Sequence, residues 1–138
     1  MHPVRALLKG HTPMTEPKFS PGPWELDREP RMTMDGGKGR LAISVYSREN
    51  LGRPLIRVGA RTDDEAEVRA NGRLIAAAPA LYVALEAWQD YDRLLRRYNG
   101  PLSAICGSDA EAIERDYGIC VEMTTAALAL ARGEGSHG

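Results

Sequence analysis

At Thr62 the hydrophobic spacing of the chain changes period, and that change limits what the chain can fold into. Before it, Leu41, Ile43 and Val45 alternate with smaller or polar neighbours at period two, the mark of a half-buried strand. After it, Val68, Leu74, Ile75, Ala78, Leu81, Leu85, Trp88 and Leu95 recur mostly at steps of three and four, interrupted by Asp92, which marks a helix with one apolar stripe. A chain that is strand-like in one half and helical in the other is α+β. The expected architecture is an N-terminal antiparallel β-meander packed against two long C-terminal helices, which cover one face of the sheet.

The boundaries follow from the punctuation. Residues 1–20, with Pro3, Pro13 and Pro17, read as an irregular or disordered arm, and Met14 looks like a natural start. Residues 21–133 read as a single domain. Its strands fall at about 23–60: "PWELDRE", "RMTMD", "RLAISVYS" after a "GGKG" hairpin, and "LIRVGA" after the loop "RENLGRP". Thr62 with Glu65 forms a capping box that opens a helix over about 63–98, with a kink or a junction of two helices near Pro79. Asn99, Gly100 and Pro101 end it. Ser108 with Glu111 opens a last helix to about 132, carrying Ile113, Tyr117, Cys120 or Val121, Thr124, Leu128 and Ala131, and Gly133 closes it. Residues 134–138 read as a disordered tail. Two alanine-rich helices with apolar surface left over suggest a homodimer or higher homo-oligomer.

Charge excludes several classes. There are 18 basic and 19 acidic side chains, so no global field recruits nucleic acid or an acidic membrane. Only Lys9, Lys18 and Lys38 are lysines; the arginine bias fits phosphate recognition by forked guanidinium groups, or simply a GC-rich coding sequence. Cys106 and Cys120 form no Cys-x-x-Cys pair, which leaves a disulfide framework or thiolate zinc site without support. The apolar core of "MHPVRALLKGHTP" is too short for a signal peptide, and no stretch reaches transmembrane length. A cytosolic protein with reduced thiols is expected.

One dipeptide conflicts with its surroundings. Asn71-Gly72 is a hairpin-turn signal, yet it sits in the helical region, where Asn71 shares a face with Leu74, Ile75 and Ala78. Gly72 costs the helix roughly 1 kcal/mol relative to alanine, which is tolerated where a second backbone or a ligand must come close. Asn71 then either hydrogen-bonds a strand end or a partner helix, or addresses a polar ligand between helix and sheet. Arg69 and Arg73 flank the pair, while Arg93, Arg96 and Arg97 cluster near the end of the long helix. Such a cluster complements the helix dipole, or clamps phosphates with Tyr91, Tyr98 or Trp24 as a stacking surface. Arg57 and Arg61 are placed to complete a pocket from the sheet side.

No enzyme is expected. His2, His11 and His137 all lie in the predicted terminal segments, and no nucleophile, base and orienter fall at a recognisable spacing. "GGKG" lacks the hydroxyl residue and glycine spacing of a P-loop. No metal or cofactor site is expected either.

Two segments carry a resemblance. "PGPWEL" near the start and Asn71-x-Arg73-Leu74-Ile75-Ala76-Ala77-Ala78-Pro79 in the centre, with "LYVALEA" following, resemble a large group of small phage and prophage proteins over about residues 14–133. Gly72 stands where that pattern usually has alanine. The layout also resembles the Thoeris anti-defence sponge proteins, small homo-oligomers that sequester cyclic ADP-ribose isomers. Their pockets, as the resemblance implies, use an asparagine and several arginines across a dimer interface. It matches Asn71 by type and context, and Arg57, Arg93 and Arg97 loosely. The expected function is therefore a non-enzymatic phage anti-defence protein in the host cytoplasm that sequesters a cyclic nucleotide signal, with Asn71, Arg57, Arg73, Arg93, Arg97 and Trp24 as ligand-binding residues. The alternatives are an inhibitor, for example an anti-CRISPR, that covers a host defence protein directly, or a prophage accessory protein with neither activity.

Overall fold

The structure, a computed structural model, describes residues 18–35, 38–97 and 107–134. It contains β1 (Trp24–Leu26), β2 (Arg31–Asp35), β3 (Lys38–Ser47), β4 (Ile56–Val58), α1 (Glu65–Ala76), α2 (Ala78–Arg96) and α3 (Ser108–Arg132). The class is α+β as expected, with a small antiparallel sheet followed by helices. Among the described residues the helical part is three helices, the expected 63–98 helix being divided near Pro79 as one of its two expected forms.

The sheet is organised by β3, with which every other strand pairs antiparallel. Val45 is opposite both Leu26 of β1 and Ile56 of β4, so those strands occupy opposite edges of β3. β2 pairs with the first half of β3, placing Arg31 opposite Ala42. Where β4 has ended, the carboxylate of Asp63 accepts a hydrogen bond from the Leu41 backbone N–H at 3.1 Å. A side chain thus closes a donor that no strand reaches.

α1 does not begin with the expected capping box. Its N-cap is Asp64, whose side chain accepts from the Ala66 N–H, while the Thr62 hydroxyl donates to Glu67 at 3.2 Å. Either aspartate or threonine caps well, and the one in extended backbone immediately before the first helical residue takes the role. The break lies at a single residue, Ala77, whose N–H still bonds back to Arg73 and Ile75 carbonyls. Pro79 sits in the first turn of α2, where its missing N–H leaves no bond unmade. α3 starts at Ser108 itself, just after Gly107 at φ 69. It ends as expected at Gly133, at φ 76, with Gly133 and Glu134 N–H groups bonded to the Leu130 and Ala129 carbonyls, a Schellman closure.

The expected stripes are shifted in phase. Leu74 and Leu85 are 54% and 66% exposed, while Val68, Gly72, Ala77, Ala84 and Ala87 are buried. The break at Ala77 resets the helical phase, so one stripe cannot be continued across it, and the inward positions go to small residues. On α3 the buried line is Cys120, Met123 and Ala127; Tyr117, Val121 and Leu128 are exposed.

Two compact units divide these elements. In Tyr82–Thr125, Ala84 and Ala87 pack with Cys120 and Met123, flanked by Trp88 and Tyr91. The Trp88 indole N–H donates to the Thr124 hydroxyl at 2.7 Å, and Trp88, Tyr91 and Tyr117 meet ring to ring at 5.8–5.9 Å.

The second unit contains the sheet, α1 and the beginning of α2, with the chain from Ala126 onward. Here Gly72 answers the question its sequence raises. A Cβ at this position would stand 2.5 Å from Ile43 Cγ2 and 2.8 Å from Leu26 Cδ1. The helix gives up propensity so that the sheet's fully buried Ile43 can touch its backbone. Gly22 lies against the Pro79 ring in the same way, 2.6 Å from a Cβ placed on the glycine. The "PGPW" and "NGRLIAAAP" segments are therefore packing partners.

Gly72→Ala is expected to lower stability although alanine is the better helix former. Overpacking costs about 1–3 kcal/mol against the roughly 1 kcal/mol gained in propensity, so the urea midpoint should fall. An unchanged or raised midpoint would show that helix and sheet are not held this close.

Candidate functional site

The alternation of β3 builds two unlike sheet faces. Ile43, Val45 and Ser47 are buried on the face that Gly72 approaches, whereas Ala42, Ser44 and Tyr46 point the other way and stay half-exposed. Register extends the second face across neighbouring strands: Arg57 stands opposite Ser44, Glu25 opposite Tyr46, and Arg31 opposite Ala42. Together they line a cleft of about 660 Å³. Arg28 and Glu29, from the β1–β2 connection, form part of its wall, and Met32, Met34, Leu51 and Pro54 supply its apolar part.

The ionic pattern of this cleft separates structural from available charges. Glu25 accepts from Arg48 at 2.9 Å, and Asp27 accepts from the Arg28 backbone N–H at 2.8 Å. Among the described residues, the guanidinium groups of Arg28, Arg31 and Arg57 make no hydrogen bond or ion pair. Three cationic forks thus border one concavity, beside the Ser44 hydroxyl and the Tyr46 ring. Such a set suits an anion with several acceptor oxygens.

The residues expected from sequence divide between several places. Arg57 is in the cleft. Asn71 lies with α1 across the sheet from it, and its amide donates to the Gly59 carbonyl at 3.0 Å, the strand-end bond that was one of its two expected roles. The space beside it is filled by Ile43 and Leu26. Arg73 runs beside Gly133, with its Nε 2.7 Å from a Cβ placed there, so the left-handed cap also leaves room for a guanidinium. Trp24 stands opposite Ser47, donates its indole N–H to the Ser20 carbonyl and meets Phe19 edge to face. Arg93 and Arg97 belong to the other compact unit, Arg93 paired with Asp90 at 2.9 Å and Arg97 exposed. Arg96 pairs with Asp92 at 2.7 Å. The suggested stacking residue Tyr98, the three histidines, Cys106 and all of the "YNGP" stop lie outside the described residues.

Arg31, Ser44 and Tyr46 were missed by sequence reasoning. Their signal is the even half of the β3 alternation, together with the strand "RMTMD" that pairs with it.

Cys120 offers no nucleophile. Burial, with Asp116 and Asp90 nearby, pushes its thiol above the ordinary value and keeps it protonated. Among the described residues no group of three His, Cys, Asp or Glu side chains is placed to hold a metal ion, and no helix is long and apolar enough to cross a membrane.

Two substitutions separate the scaffold from the cleft. Asn71→Ala should destabilise by about 0.5–1 kcal/mol, the net worth of its hydrogen bond less the propensity gained. Arg57→Gln should change stability by less than about 0.5 kcal/mol, because it removes no bond. Chemical denaturation of both variants checks the contrast; a strongly destabilised Arg57→Gln would make that arginine structural.

No curated protein and no solved structure matches this chain. Residues 14–135 match the family model described as Salmonella phage P22 protein Y8K6. That match takes in the sheet, all three helices and every residue of the cleft, and the chain belongs to this phage protein family.

Proposed function

We propose that this phage protein acts by binding rather than by chemistry, and that it sequesters a small anionic, nucleotide-type signal of a host defence system on the outer face of its sheet. The observation that carries this reading is that Arg28, Arg31 and Arg57, none of them with a side-chain partner among the described residues, line one concavity. All three are exposed and solvated, and an anion with several acceptor oxygens would gain charge-assisted hydrogen bonds from their forked donors. Asp27 and Glu29 line the same cleft, so a ligand with one compact anionic group suits it better than an extended polyanion. In this reading the chain works as a homo-oligomer, supported by the exposed apolar residues Leu85, Tyr117 and Val121 on the helices.

A second reading has its own support. Met32 and Met34 are 61% and 76% exposed beside the same cleft, and Leu51 is also exposed. Adaptable methionines at a surface suit a protein partner, which would make the molecule an inhibitor that covers a host protein.

A thermal-shift panel of ADP-ribose, its cyclic isomers, and cyclic di- and trinucleotides separates the two. A ligand at about a hundred times its dissociation constant adds roughly 2.7 kcal/mol, which raises the melting temperature by several degrees. The sequestration reading predicts a selective shift that disappears in Arg31→Gln and Arg57→Gln. No shift with any member would reject it in favour of a protein partner.

A further inference from the structure

We infer that the cleft has two subsites, an anion subsite at Arg31, Arg57 and Ser44 and a ring subsite on Tyr46, so that its ligand is a nucleoside phosphate recognised by both ends. This rests on the proposed anionic ligand and adds what that reading leaves open, namely how the cleft tells a nucleotide from any other phosphate.

The placement comes from the strand geometry. Ser44 and Tyr46 occupy successive positions on one face of β3, about 7 Å apart along the strand. Arg57 is directly across from Ser44, and Arg31 across from Ala42 one step further on. The guanidinium groups thus gather toward one end of this row and the ring stands at the other. That separation is comparable to the distance between the base and the first phosphate of an extended nucleotide. Tyr46 is half-buried, Leu51 and Pro54 line the same cleft, and Glu25, its cross-strand neighbour, is held by Arg48. A half-buried ring standing on a paired strand has less rotamer freedom to lose on stacking than a free one. Aromatic stacking accepts any base, so the ring subsite requires a nucleobase without choosing which one.

Calorimetric titration of the full chain with two probes, inorganic pyrophosphate and ADP, tests this. ADP is expected to bind about tenfold more tightly than pyrophosphate, the increment of one stacked base. Tyr46→Leu should erase that preference while leaving pyrophosphate affinity unchanged, and Tyr46→Phe should retain it. Arg57→Gln should weaken both probes. Equal wild-type affinities, or a preference that survives Tyr46→Leu, would overturn the ring subsite and leave the anion reading standing. Loss of the preference in Tyr46→Phe would also overturn stacking, since the hydroxyl would then be the recognised group. Unchanged binding of both probes in Arg57→Gln would overturn the anion subsite as placed. Failure of both probes to bind the wild type would overturn the anionic ligand and this inference together.

Discussion

The close approach of helix to sheet, where the backbone of α1 at Gly72 meets Ile43 and Leu26, is the constraint on which the sheet-bearing unit depends. It decides which face of β3 is interior. With Ile43 and Val45 fully buried toward the helix, the period-two alternation of the strand leaves Ser44 and Tyr46 no choice but to face outward. Register with β1, β2 and β4 then assembles the cleft from residues far apart in the chain. The cleft is in this sense a consequence of packing on the opposite side.

The same contact explains what the family-like motifs do. Gly22 of "PGPW" lies on Pro79, Leu26 lies on Gly72, and Asn71 bonds the start of the strand-to-helix connection at Gly59. These segments hold α1 and the start of α2 against the sheet. A motif can identify a family through its scaffold while the residues that meet a partner lie elsewhere, and fold-level likeness does not locate a site.

Much of the architecture was legible in the sequence because it rests on local physics. Alternation at Leu41, Ile43 and Val45 located the central strand, and Gly133 marked the end of the last helix. The misreadings have physical causes. The stripe through Leu74 and Leu85 assumed one continuous phase, and the junction at Ala77 broke it; alanines, which carry weak hydrophobic signal, took the buried positions. Thr62 and Asp64 are both competent caps, and only backbone conformation decides between them. Arg57, expected to complete a pocket from the sheet side, does line the cleft. Arg31, Ser44 and Tyr46 were not expected there, because the value of an outward-facing residue depends on which strand stands next to it, and pairing is non-local information.

The central claim is that this protein meets its ligand on the outer sheet face and not between helix and sheet. The most direct measurement is an amide NMR titration of the full chain with ADP-ribose. The account predicts that perturbed resonances cluster at Arg31, Ser44, Tyr46 and Arg57, with Asn71 and Gly72 unmoved. Perturbations centred on Asn71 and Gly72, with the outer face silent, would contradict it.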